Sequence, residues 1–98
     1  MKFYLCKFIP PRADFLATMS ADEATWMKQH AAYLNDLLAK DLVVAHGPVI
    51  DPAGGYGLSL YQVPDDQDIA ELTSEDPIVK NGAGHYEHFQ MPHLKARG

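Results

Sequence analysis

Five histidines stand in this chain of 98 residues, at positions 30, 46, 85, 88 and 93, against a single cysteine, Cys6. An imidazole with its ordinary pKa of about 6.5 can take up and return a proton at neutral pH. Proton transfer is therefore the first chemistry to seek here. Metal binding is the competing use of histidine. No His-x-x-x-His pair lies on a helical stretch, and His85 and His88 are three apart on a predicted strand, so they point to opposite faces. One cysteine cannot build a thiolate site, and the usual zinc spacings are absent. The chain is expected to hold no metal.

Other chemistries lack their motifs. Gly54-Gly55-Tyr56-Gly57 runs into a predicted strand rather than opening a helix, so the amide cradle for a phosphate is missing. No serine sits in a nucleophile elbow. Cys6 lies within an apolar strand pattern and reads as a small buried hydrophobe. Two further residues are candidates for holding a small molecule. Arg12, in the loop after Pro10-Pro11, could take a substrate carboxylate through its guanidinium fork. His46, just before Gly47-Pro48, could offer a polar contact where a hairpin opens.

Composition narrows the function classes. With 8 basic and 13 acidic residues the net charge is −5, and no run of Lys or Arg appears. A phosphate-tracking surface needs a basic stripe, so nucleic acid is not an expected partner. No apolar stretch approaches the ~20 residues that span a bilayer, so no membrane partner is expected either. The N-terminal run carries Lys7 in its apolar part and makes a poor signal peptide. A lone cysteine adds to this, and the expected compartment is the cytoplasm. The length suits a single domain over residues 1–98.

The elements that must position these residues follow from periodicity. Lys2 to Ile9 reads as a first strand, closed by two prolines, and residues 10–19 as a loop. Ser20-Ala-Asp-Glu23 is a capping box that opens a helix to about Lys40. Met27, Ala31, Leu34 and Leu38 form one apolar stripe of that helix, and Trp26, His30, Tyr33 and Leu37 a second beside it. His30 is thus expected at the margin of the buried face, with Trp26 and Tyr33 as possible neighbours in a pocket. Leu42 to Ile50 and Tyr56 to Val63 read as a hairpin across a Pro-Gly turn. A short helix from about Asp66 to Thr73 follows, then a helical turn in which Asp76 can cap and Pro77 sits first. His85 to Met91 is the fourth strand, and the tail after it is expected to fray.

The order β-α-β-β-α-β predicts an α+β, ferredoxin-like fold: a four-stranded antiparallel sheet with helices on one face. Phe3 and Leu5 fall on one side of the first strand, and Tyr4, Cys6 and Phe8 on the other. Both faces of the sheet are therefore partly apolar. A second copy packed sheet against sheet would cover the open one, which predicts a homodimer.

Several segments together resemble the YciI-like (YCII-related) family. They are the Pro-Pro-Arg-Ala-Asp-Phe loop, the lone His in Met-Lys-Gln-His30, the stretch His46-Gly-Pro-Val-Ile-Asp-Pro-Ala-Gly-Gly55, and Glu75-Asp-Pro-Ile-Val-Lys-Asn-Gly-Ala-Gly-His-Tyr86. The resemblance covers nearly the whole chain. It implies a dimeric α+β barrel, the larger group that includes muconolactone isomerases, small monooxygenases and stress-response barrel proteins. Some of that group bind haem through an axial histidine, a place that His30 or His46 could take, but nothing else in the sequence supports haem. The resemblance also implies a polar centre made of His30 and Asp76. A carboxylate on the second ring nitrogen would fix the imidazole tautomer, and the pair would suit general acid/base catalysis.

The expected function is therefore that of a cofactor-free small-molecule enzyme of lyase, dehydrochlorinase or isomerase type. His30 and Asp76 would be catalytic, with Arg12, His46, Tyr33 and Trp26 contacting a small aromatic or anionic molecule. Two other readings follow from the same residues. One is a non-catalytic metabolite-binding or accessory module of the same fold. The other is a cofactor-free monooxygenase-like barrel.

Overall fold

Two consecutive prolines end the first strand, because a proline cannot donate to a sheet ladder. In the computed structural model, which describes residues 1–97, that strand is β1 (Lys2–Ile9). It is followed by α1 (Phe15–Thr18), α2 (Ala21–Ala39), β2 (Val43–Val49), β3 (Tyr56–Val63), α3 (Ile69–Ser74), α4 (Pro77–Lys80) and β4 (His85–Met91). The sheet order is β2-β3-β1-β4 and every neighbouring pair is antiparallel. This is the expected α+β, ferredoxin-like sheet. No helix among the described residues is long and apolar enough to cross a membrane. Residues 92–97 carry no regular structure, and Gly98, the last residue of the tail, lies outside the described residues.

Strand alternation decides which side chains meet the helices. Tyr4, Cys6 and Phe8 of β1 stand opposite Tyr61, Ser59 and Gly57 of β3, and opposite Gln90, His88 and Tyr86 of β4. On this side Cys6, Phe8, Ser59, Tyr61 and Val63 are buried. Cys6, Tyr61 and Val63 join Leu34 and Leu37 of α2, Val43, and Ile69 of α3 in one cluster. A second cluster holds Phe8, Phe15, Ile78 and Ala83, and Tyr86 packs against both. Each such apolar side chain contributes roughly 1.5–3 kcal/mol.

The N-terminus of α2 is built as the capping box requires. The Glu23 amide donates to Ser20 Oγ at 3.1 Å, and the Ser20 amide donates to Glu23 Oε1 at 2.9 Å. Arg12 adds a fork onto the same carboxylate, Nη1 to Oε2 at 2.9 Å and Nη2 to Oε1 at 2.7 Å. It also donates to the Thr18 hydroxyl and carbonyl, both at 2.7 Å. Hydrogen bonding to Arg12, then to the Ser20 amide, holds the Glu23 carboxyl at about 2. This staple organises residues expected as plain loop: Phe15–Thr18 closes into α1, and Phe15 is buried in the second cluster.

Two other expectations are corrected. The buried residues of α2 are His30, Leu34 and Leu37, while Ala31 and Leu38 are exposed. His30 is therefore central to the buried face rather than marginal to it. α3 begins at Ile69, not near Asp66, because Asp68 caps it through Oδ1 to the Ala70 amide at 3.0 Å. The preceding residues close a separate turn from Gln67 to Pro64.

The approach to β4 has one fixed requirement. Gly84 has φ +108°, and a Cβ there would lie 2.6 Å from the Ile9 carbonyl oxygen and 2.7 Å from the Phe8 ring. Only glycine accepts both that backbone and that contact. Gly84→Ala is expected to cost about 2–3 kcal/mol and to lower the melting temperature by about 10–20 °C. Thermal unfolding followed by circular dichroism checks this, and an unchanged midpoint would contradict it.

Candidate active site

Asp76 is the N-cap of α4, with Pro77 in the first helical position. Its Oδ1 accepts from the Ile78 amide at 3.2 Å. Its Oδ2 accepts from two side chains: His30 Nδ1–H at 2.6 Å and the Tyr86 hydroxyl at 2.6 Å. Asp76 is fully buried and His30 is 8% exposed. A carboxylate accepts and does not donate, so this bond places hydrogen on Nδ1, and in the neutral ring Nε2 is then the nitrogen with the lone pair. The two residues are 46 positions apart, and the packing of α4 against α2 brings them together.

Three elements position the pair. α2 presents His30 one turn before Leu34, and its ring packs on Phe8 at 5.3 Å between centroids. β4 carries Tyr86 opposite Phe8, with those rings edge to face at 5.6 Å. Burial, and next the charge of Asp76, push the Tyr86 phenol well above its ordinary range. It therefore stays a donor to the carboxylate at any physiological pH.

His30 lines a cavity of about 540 Å³ between α2, α1 and the sheet. Most of its wall is apolar, from residues such as Phe8, Phe15, Met27 and Leu34. This explains the corrected helix phase. Met27 and Ala31 of that stripe border a hollow, while Leu34 borders it and also packs into the first cluster against the sheet. The polar groups in the wall are few: His30, Tyr86, His46, Ser59, Asp14 and the hydroxyl-bearing Tyr56. No Lys or Arg is among the described residues that line it.

The other expected site residues divide. His46 is in the cavity wall, with Nε2 2.8 Å from Asn35 Oδ1 across the gap to α2. Arg12 is not in that wall, because its fork is taken by Glu23 and Thr18. It borders a separate depression of about 220 Å³. Tyr33 donates to the Leu72 carbonyl at 2.6 Å and ties α2 to α3. Trp26 packs on the second core cluster. Neither aromatic lines the cavity. Tyr86 and Ser59 were not among the sequence candidates. The only signal for either was strand alternation, which places both on the helix side without marking them as polar contacts. Among the described residues, no three His, Cys, Asp or Glu side chains stand close enough to hold a metal ion.

The YCII-related domain family matches residues 3–92. The chain belongs to this family. No curated protein sequence matches it. Among solved structures, it is similar to the 5-chloro-2-hydroxyhydroquinone dehydrochlorinase from Burkholderia phenoliruptrix AC1100, in complex with 2,5-dihydroxybenzoquinone. The TM-score is 0.65 at 14% identity, over 96% of this chain and 95% of that one. At that identity the likeness is one of fold.

Two histidines on the helix side of the sheet titrate low. Burial, then the charge of His30, holds His46 below its ordinary 6.5, and burial does the same to His88, whose Nε2 is hydrogen-bonded to Thr73 Oγ1 at 2.8 Å. As pH falls the unfolded chain gains these protons first. The stability they contribute is full above about pH 6.5 and is lost as pH drops through the folded values. Urea unfolding at about pH 7.5 and about pH 5.5 should show a lower midpoint in acid. A variant with both His46→Gln and His88→Gln should show a smaller drop. An equal drop would contradict the assignment.

Proposed function

We propose that this YCII-related chain is a cofactor-free small-molecule enzyme in which His30 moves a proton and Asp76 holds the imidazole for it. The observation that carries this is the 2.6 Å bond from His30 Nδ1 to a fully buried carboxylate, on a ring that lines an apolar cavity. With Nδ1–H engaged, Nε2 is the base, and the carboxylate stabilises the imidazolium that forms. The Tyr86 hydroxyl and the Ile78 amide fix the carboxylate in turn.

The reaction class is proton abstraction from a ring hydroxyl, or from the carbon beside the carbonyl in the keto tautomer of such a ring. If the freed electron pair expels a halide, the step is an elimination. If the proton returns at another carbon, it is an isomerisation. Neither needs a redox partner. The shared fold with a protein named as a dehydrochlorinase supports the elimination branch. A wall with no Lys or Arg, and with Asp14 in it, favours a neutral aromatic substrate over an anion.

The proposed working form is a homodimer in the cytoplasm, closed through the open face of the sheet. Phe3, Leu5, Leu58, Leu60, Phe89 and Met91 share that face by register, and Phe89 is 49% exposed. A row of this kind is suited to a sheet-on-sheet contact.

His30→Gln keeps polarity and approximate size at the helix position but removes the base. On a halogenated hydroquinone substrate, halide release is expected to fall about 10²–10⁴-fold. The sedimentation coefficient should stay close to that of the unaltered protein, and the melting temperature should fall, because the buried Asp76 loses its imidazole donor. Halide release that survives at full rate in this variant would overturn the assignment.

A further inference from the structure

The cavity wall carries two imidazoles. His30 comes from α2 and His46 from β2, so the hollow of about 540 Å³ has one on its helix side and one on its sheet side. His46 stands opposite Ser59 in the register, on the face of the sheet that meets the helices, and is half-buried. Its Nε2–H donates to Asn35 Oδ1 at 2.8 Å, which leaves Nδ1 as the acceptor in the neutral ring. That nitrogen has no partner among the described residues and is not sealed in the packing. The same is true of His30 Nε2. Each ring is held at one nitrogen and open at the other.

We propose that His46 is a second catalytic base, which takes the proton of one hydroxyl of a 1,4-dihydroxy ring while His30 serves the other. The inference rests on the reading of this cavity as the site, and it deepens that reading. Two bases on two walls specify a para-dihydroxy substrate, where a single base would ask only for one hydroxyl.

Elimination from such a ring needs proton handling at both ends. A halogenated hydroquinone becomes a quinone by losing one proton and one halide, with no outside oxidant. His30 Nε2 takes the proton of the hydroxyl beside the halogen-bearing carbon, and the imidazolium returns it to that carbon. An O–H bond breaks, a C–H bond forms, and the ring is a keto tautomer. His46 Nδ1 then takes the proton of the para hydroxyl. The electron pair of that O–H bond closes a second carbonyl, the ring double bond shifts, and the carbon–halogen bond breaks with its pair on the halide. The burial of the two rings matches this division of labour. His30 is 8% exposed and returns its proton to the ring, whereas half-buried His46 can pass its proton on to water. Burial, then the charge of His30, hold His46 below its ordinary 6.5, so it is neutral and able to accept at neutral pH.

The test is halide release from 2-chlorohydroquinone under argon, comparing the unaltered protein with His46→Gln. In the variant kcat should fall about 10²–10³-fold while KM stays within about threefold. His46→Asn, a smaller change at the same place, should show the same loss. Added imidazole should restore part of the rate to His46→Ala, because a free base can enter the space left by the ring. The proposal is overturned if kcat survives in His46→Gln or His46→Asn, if KM rises with kcat unchanged, if imidazole restores nothing, or if the unaltered protein releases no halide. Loss of halide release in His30→Gln with full release in His46→Gln would sink this proposal and leave the His30 reading standing. Full release in His30→Gln would instead sink that reading at its source.

Discussion

The Asp76 carboxylate ties three elements together at one point: α4 through the Ile78 amide, α2 through His30 and β4 through Tyr86. A fully buried carboxylate is expensive unless donors surround it. Here three donors do so, and one of the three is the imidazole. The cost of burying the charge and the aim of the ring are therefore set by the same interaction. Nδ1 cannot leave without exposing the carboxylate to an apolar core, so the ring stays aimed. Capping α4 and orienting His30 are compatible because they use different oxygens.

The rest of the fold can be read as support for that point. Gly84 lets β4 run against β1 closely enough to set Tyr86 beside Phe8. The Arg12–Glu23 staple closes α1 over the cavity, so its outer wall depends on an ion pair that never meets the ligand space. The His46–Asn35 bond joins sheet to helix at the cavity's edge. What remains between these ties is a hollow under α2, bounded by carbon over most of its area. Such a space strengthens each polar contact made inside it.

Local chemistry was legible in the sequence wherever neighbours in the chain decide the outcome. The Ser20–Glu23 box, the Asp76 cap before Pro77 and the strand ends at proline all act within a few residues. The α+β fold class followed from the alternation of element types. Pairing His30 with Asp76 across 46 positions was carried by family resemblance, since no local pattern specifies it. The phase of α2 was misjudged because Met27 and Ala31 are apolar yet face a cavity, and hydrophobicity alone does not separate a packed wall from an empty one. Arg12 was misplaced for a related reason: a guanidinium meets carboxylates of the protein as readily as those of a ligand, and Glu23 is the one within reach. Ser59 and Tyr86 look like ordinary strand residues until the sheet register is known.

The most direct measurement is the protonation of the His30 ring, read from two-bond proton–nitrogen NMR correlations in the free protein at neutral pH. Held by Asp76, the ring should carry hydrogen on Nδ1, and in the neutral form of the ring the shift of an unprotonated nitrogen should belong to Nε2. A spectrum in which Nδ1 lacks hydrogen would contradict the account, because the carboxylate would then have nothing to accept from the ring.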